Sequence, residues 1–195
     1  RLSAANDISC NTCHALDIDG ADRRATAAGH KGQLGRRNSP TVFNAAGHFV
    51  QFWDGRAKTV EEQAKGPITN PIEMGMPDEK TALAAIRGSY QARFKKAFPG
   101  ASGDPVTMDN LVNAIGAFER TLVTPGRWDA FLAGDDGALT TAEKAGFKTF
   151  TDVGCNTCHA GVYVGGAMYQ KLGLAKPWPK TDDLGRFEIT KQDVD

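Results

Sequence analysis

The chain has 195 residues, with 23 Lys and Arg balanced by 23 Asp and Glu, so its formal charge at neutral pH is zero. That balance leaves neither a basic footprint for nucleic acid nor an acidic tail, and no apolar run approaches the ~18 residues of a membrane-spanning helix. The length suits one large domain or two small ones, and the start at Arg1 carries no charged-then-apolar leader.

The first element met along the chain is SCNTCH at residues 9–14, which returns as GCNTCH at 154–159; the two copies use all four cysteines. Cys-x-x-Cys-His is the pattern of covalent c-type haem attachment. Two thiols three positions apart share one helical turn and can both reach the haem vinyl groups, and the next histidine falls under the iron. A zinc site would require Cys10, Cys13, Cys155 and Cys158 to meet across the fold. A thioredoxin-like redox pair or disulfides would not need a histidine twice. The reading is therefore two covalent haems, on Cys10, Cys13 and His14 and on Cys155, Cys158 and His159. Thioether attachment takes place outside the cytoplasmic membrane in bacteria, so the periplasm is the expected compartment.

Residues 16–50 are rich in Gly, Asn and Ala and read as a long loop, which in a compact domain is usually functional or disordered. Thr59 and Glu62 have the form of a capping box opening a short helix, which Gly66-Pro67 should stop. Residues 79–98 read as a helix broken near Gly88, with Leu83, Ile86, Phe94 and Phe98 apolar. Over 108–123, Leu111, Ile115, Phe118 and Leu122 form the stripe of an amphipathic helix. After a Gly/Asp/Pro-rich stretch at 124–138, a second capping box at Thr140 and Glu143 leads through Phe147 and Phe150 to the second haem motif. The expected fold is mainly α, with two cytochrome c-like haem domains in series. Their boundaries are 1–130 and 131–195, and the second is expected to be incomplete in this chain because little sequence follows His159.

Beyond the two motif histidines, His30 sits in the glycine-flanked loop AAGHKGQLG and His48 in AAGHFVQF. Met74 follows His14 at a separation suited to the axial methionine of a small cytochrome c, whereas Met168 lies too close to His159 to serve the second iron.

Four strings carry a resemblance: RNSPTVFNAAGHFVQFWDGRA (37–57), QAKGPITNPIEMGMP (63–77), AIGAFERTLVTPGRWDAFLAGD (114–135) and GCNTCHAGVYVGG (154–166). In this order they resemble the bacterial dihaem cytochrome c peroxidases, with similarity from Arg1 to about Arg186. The resemblance implies a low-potential peroxidatic haem on the first motif and a high-potential, electron-receiving haem on the second. It implies that His30 is the displaceable distal ligand of the first iron, Glu73 the distal acid and Gln63 a second polar residue of the peroxide pocket. Trp53 is implied as the aromatic between the haems and Asn38 as a ligand of a calcium ion, while Met74 becomes a packing residue. The family's second haem takes a methionine further downstream than this chain extends. The expected activity is reduction of hydrogen peroxide to water, with a small cytochrome c or cupredoxin as donor and a homodimer as the assembly. Two rivals stand beside it: a dihaem electron carrier without catalysis, and a relative that oxidises residues of a partner protein.

Overall fold

Thr59, Asp78, Thr107 and Thr140 each start a helix by accepting, through the side chain, the N–H three residues on, which satisfies one of the donors that a helix start leaves unpaired. The computed structural model describes residues 1–179 and 182–192. The helices are α1 (Cys10–Cys13), α2 (Val60–Thr69), α3 (Glu79–Ala97), α4 (Met108–Glu119), α5 (Arg127–Leu132), α6 (Thr141–Asp152) and α7 (Phe187–Thr190). Among the described residues there is no strand, only the isolated bridges Ala28–Leu34 and Gln51–Ala57. The fold is mainly α, and residues 16–50 form the expected long loop, interrupted by two short 3-10 turns.

The chain divides into two compact units. One comprises residues 1–122 with 182–192, and the other residues 123–179. The core of the first gathers Ala64 and Ile68 from α2, Met74 and Met76 from the loop after it, Ala82, Ile86 and Phe94 from α3, and Met108, Leu111 and Val112 from α4. Phe94 is buried and stacks at 5.8 Å from Phe98. Its replacement by alanine is expected to cost about 3–5 kcal/mol, read as a lower denaturation midpoint with an unchanged slope.

Three local expectations are corrected here. Helix α2 does not stop at Gly66-Pro67 but runs to Thr69. Proline removes one intrahelical bond, but the following loop supplies donors to the helix end. Met74 N–H donates to the Pro67 carbonyl (3.2 Å), Met76 N–H to Ile68 (3.0 Å) and Gly75 N–H to Asn70 (2.9 Å). Helix α3 is continuous through Gly88, whose missing side chain would meet nothing within 4 Å; the cost of about 1 kcal/mol is tolerated between the buried Ile86 and Phe94. In α4 the buried positions are Met108, Leu111, Val112 and Gly116, with Ile115 packed beside them, while Phe118 is exposed. A Cβ at Gly116 would lie 2.8 Å from Glu61 Cδ on α2, so the Glu61 side chain, which pairs with Arg120, would have to shift.

In the second unit, α5 and α6 are joined by Arg127, whose Nη1 and Nη2 donate to Glu143 (2.8 and 2.5 Å). Trp128 meets the Phe147 ring edge-on at 5.0 Å. Thr140 and Glu143 close the expected capping box. Among the described residues no helix is long and apolar enough to cross a membrane.

Candidate functional site

Both Cys-x-x-Cys-His motifs fold into a single turn. In the first, on α1, His14 N–H donates to the Cys10 carbonyl at 2.9 Å; in the second, a 3-10 turn over Cys155–Thr157, His159 N–H donates to Cys155 at the same distance. The second turn begins at Gly154, whose φ of 83° is the left-handed conformation that glycine takes at least cost. All four thiols are free of disulfides. Each histidine ring is oriented by its Nδ1: His14 against the Pro40 carbonyl (3.0 Å) and His159 against the Val164 carbonyl (3.1 Å). A carbonyl can only accept, so Nδ1 carries the proton and Nε2 keeps its lone pair. That is the tautomer and the outer-shell contact of a metal-binding histidine. Burial lowers the pKa of His14, favouring the same neutral ring. Two thiols and a basic imidazole nitrogen on one turn fit a covalent haem at both motifs. Val162, Leu172, Leu174 and Trp178, all exposed in the second unit, offer apolar surface of the kind a macrocycle covers.

The first unit joins His30 to Glu73. The His30 backbone N–H lies 2.7 Å from the Glu73 carbonyl and 2.9 Å from that of Ile72. Gly29 permits this approach, since a Cβ would come within 2.7 Å of the Glu73 carbonyl oxygen. Gly75 (φ 68°) lies flat against the imidazole, where a Cβ would sit 2.6 Å from His30 Cγ. The ring's Nδ1 is buried and has no hydrogen-bond partner among the described residues. Gln33 pins the turn by donating to the His30 and Pro71 carbonyls (3.1 and 3.0 Å).

Glu73 lines an open cleft of about 250 Å³ with Phe52, Arg56, Ala57, Glu62, Gly66, Pro67 and Asn70. Burial pushes its carboxyl pKa up, against the opposing charge of Arg56 and a hydrogen bond from Asn70. Its charge in turn helps raise the pKa of Cys13, after burial and Asp22, which places the acid within electrostatic reach of the first haem motif. Gln63 is half-buried on α2, beside Glu62, and is not among the residues that line the cleft. Trp53 is 64% exposed, and its indole N–H donates to the Asn38 carbonyl at 2.9 Å. Asn38 donates through Nδ2 to the Arg24 carbonyl (2.5 Å), which leaves its side-chain oxygen as an acceptor. Met74 is buried in the core of the first unit, while His48 lies on the surface. Sequence reading passed over Phe52, Arg56 and Asn70, although the string FWDGR that names two of them was in view.

The profile of the family described as di-haem cytochrome c peroxidase matches residues 1–137. The chain belongs to this family. It is 48% identical to the cytochrome c551 peroxidase of Pseudomonas aeruginosa, covering all of this chain and 58% of that protein. It is 42% identical to the cytochrome c peroxidase Ccp of Escherichia coli, of which it covers 43%. The methylamine utilization protein MauG of Methylorubrum extorquens is 34% identical over the whole chain, which spans 54% of that relative. Among solved structures, a MauG-like protein associated with microbial copper homeostasis superposes with a TM-score of 0.79 at 26% identity, over 98% of this chain and 61% of the other. The chain thus spans between 43% and 61% of the length of these relatives. Membership of the family implies haem c as cofactor, in agreement with the two attachment turns.

Proposed function

We propose that this chain carries the catalytic half of a periplasmic dihaem peroxidase. Hydrogen peroxide would take up two electrons and two protons and leave as two waters, and Cys10, Cys13 and His14 would hold the haem that supplies the iron for this chemistry. Haem held by Cys155, Cys158 and His159 would supply the group that receives electrons from a small cytochrome c or cupredoxin. On this reading residues 1–130 form the peroxidatic domain and 131–195 open the electron-receiving one, apart from the segment 182–192, which belongs to the first unit. The observation that carries it is the bond from His30 N–H to the Glu73 carbonyl, which sets a mobile-ligand candidate beside an acid that lines the cleft. Bound haem would supply an iron that takes peroxide oxygen and exchanges electrons one at a time.

The remaining chemistry falls to the chain's own groups. Glu73, half-buried above the cleft, takes the proton from one peroxide oxygen and returns it to the other, the exchange that turns a poor leaving group into water. Gln63 would hold the substrate by hydrogen bonding, and Trp53 would pass electrons. Asn38 offers one oxygen to a calcium ion, which takes six to eight; among the described residues no three His, Cys, Asp or Glu side chains gather into a metal site. A homodimer is the expected assembly. The decisive experiment loads the protein with haem and follows peroxide-dependent oxidation of a reduced small cytochrome c. No oxidation above a haem-free control would overturn the reading.

A second reading, oxidation of residues on a partner protein, is favoured by the 34% identity to MauG over the whole chain. His30 separates the two readings. As a displaceable ligand it would make the oxidised first haem low-spin, and His30→Gly should give a high-spin spectrum at rest without prior reduction. An unchanged low-spin spectrum in the variant would remove His30 from the iron.

A further inference from the structure

One wall of the cleft is built on an ion chain that the proposed chemistry does not use. Asp183, in the segment 182–192, accepts from Arg37 Nε and Nη2 at 2.5 and 2.6 Å. Arg37 Nη1 donates to Asp54 Oδ2 at 2.5 Å, and the Asp54 side chain is only 5% exposed. Arg56 Nη1 donates to both Asp54 oxygens, at 3.0 and 2.8 Å. Arg186 Nη1 closes the loop from outside by donating to the carbonyls of Asp54 and Gly55. Arg37 and Arg56 thus flank the buried Asp54, and of this chain Arg56 is the member that lines the cleft. Its guanidinium carbon lies 3.4 Å over the Phe52 ring centroid, and both residues line the cleft with Glu73.

An arginine carries five donors in a rigid plane. Asp54 engages Nη1, while Nε and Nη2 have no protein partner among the described residues. The stack on Phe52 and the bond to Asp54 have already fixed the plane, so little further freedom is lost when a ligand accepts from the remaining donors. The neighbouring carboxylate of Glu62 does not compete strongly for them, because its Oε2 accepts from Lys58 N–H at 2.8 Å. Burial works against an ionised Asp54, but Arg37 and Arg56 outweigh it and hold its pKa below the usual range. Asp183 is held at about 2 by Arg37, so the chain stays fully charged at neutral pH.

We propose that Arg56 orients the small hydrogen-bond-accepting ligand in the cleft, and that Asp183 fixes Arg56 through Arg37 and Asp54. For hydrogen peroxide as that ligand the proposal rests on the peroxidase reading above. It makes the segment 182–192 a positioning arm of the first unit's site. Arg56 is the residue that touches the ligand; Arg37, Asp54 and Asp183 act through it.

The test uses the full haem-loaded chain with Arg56→Gln, Arg56→Lys and Asp183→Asn. Loss of a charged donor to the ligand should raise KM for peroxide by about tenfold in Arg56→Gln, with kcat changed far less. Arg56→Lys should recover most of the loss. Asp183→Asn, distant from the ligand but within the same network, should raise KM by about twofold to threefold. The same variants are titrated with cyanide and read by absorbance, where affinity should fall in the order wild type, Asp183→Asn, Arg56→Gln. Wild-type KM and cyanide affinity in a folded Arg56→Gln would overturn the proposal, and wild-type values in Asp183→Asn would overturn the role of the arm. If the wild type consumes no peroxide, the peroxidase reading fails and the cyanide series alone decides the role of Arg56.

Discussion

Glu73→Gln is expected to lower peroxide turnover by about a hundredfold or more, while haem content and thermal stability stay near wild type. Glutamine matches glutamate in volume and keeps an acceptor oxygen, but it cannot take up a proton. The loss is that of one positioned acid–base group, about 10²–10⁴-fold. Folding should survive because the Glu73 backbone makes the structural bonds: its carbonyl accepts from His30 N–H, and its own N–H donates to Asn70. The side chain lines the cleft and takes one hydrogen bond from Asn70, which the glutamine oxygen can keep. Steady-state kinetics with a reduced small cytochrome c would measure the effect. Turnover within a factor of a few of wild type would take Glu73 out of the mechanism.

Replacing both Cys155 and Cys158 by serine should remove one of two covalent haems and abolish donor-driven peroxide reduction. Serine hydroxyls form no thioether, and a haem held by His159 alone is lost to denaturing electrophoresis. The first unit should keep its haem. Its attachment turn is ordered by its own residues, with His14 N–H on Cys10 and the imidazole on Pro40, and its core draws on no residue between 123 and 179. Iron per chain should fall from two to one. Peroxide turnover at the wild-type rate with one haem would mean that electrons enter directly at the first motif, and the two-haem route would fall.

The parts of the site legible in the sequence are those whose chemistry is local. A Cys-x-x-Cys-His turn places two thiols and an imidazole by covalent connection alone, so both haem positions could be read without a fold. The capping box at Thr140 and Glu143 is similarly self-contained. The roles of Glu73 and His30 come only from the resemblance, because the bond joining them spans a long stretch of chain and depends on two glycines, Gly29 and Gly75, that admit close backbone contact. Arg56 was missed because nothing in FWDGR says that its arginine will stack on its phenylalanine and turn its free edge to a cleft.

What the sequence determined by itself is the pair of haem attachment turns, the mainly helical class and the helix starts, since each depends on residues within one or two turns of each other. The tertiary structure decided where helices end and which faces are buried. Helix α2 passes Gly66-Pro67 because the loop at 74–76 turns back to donate to its last carbonyls. Helix α4 buries Leu111 and Val112 against the core residues of α2 and α3 and leaves Phe118 exposed. The cleft, too, exists only in the fold. Asp183, Arg37, Asp54 and Arg56 are ordinary surface charges in a linear reading, and they form a chain only when the segment 182–192 packs against the FWDGR loop. Coulomb attraction and burial then fix a geometry that no local propensity encodes.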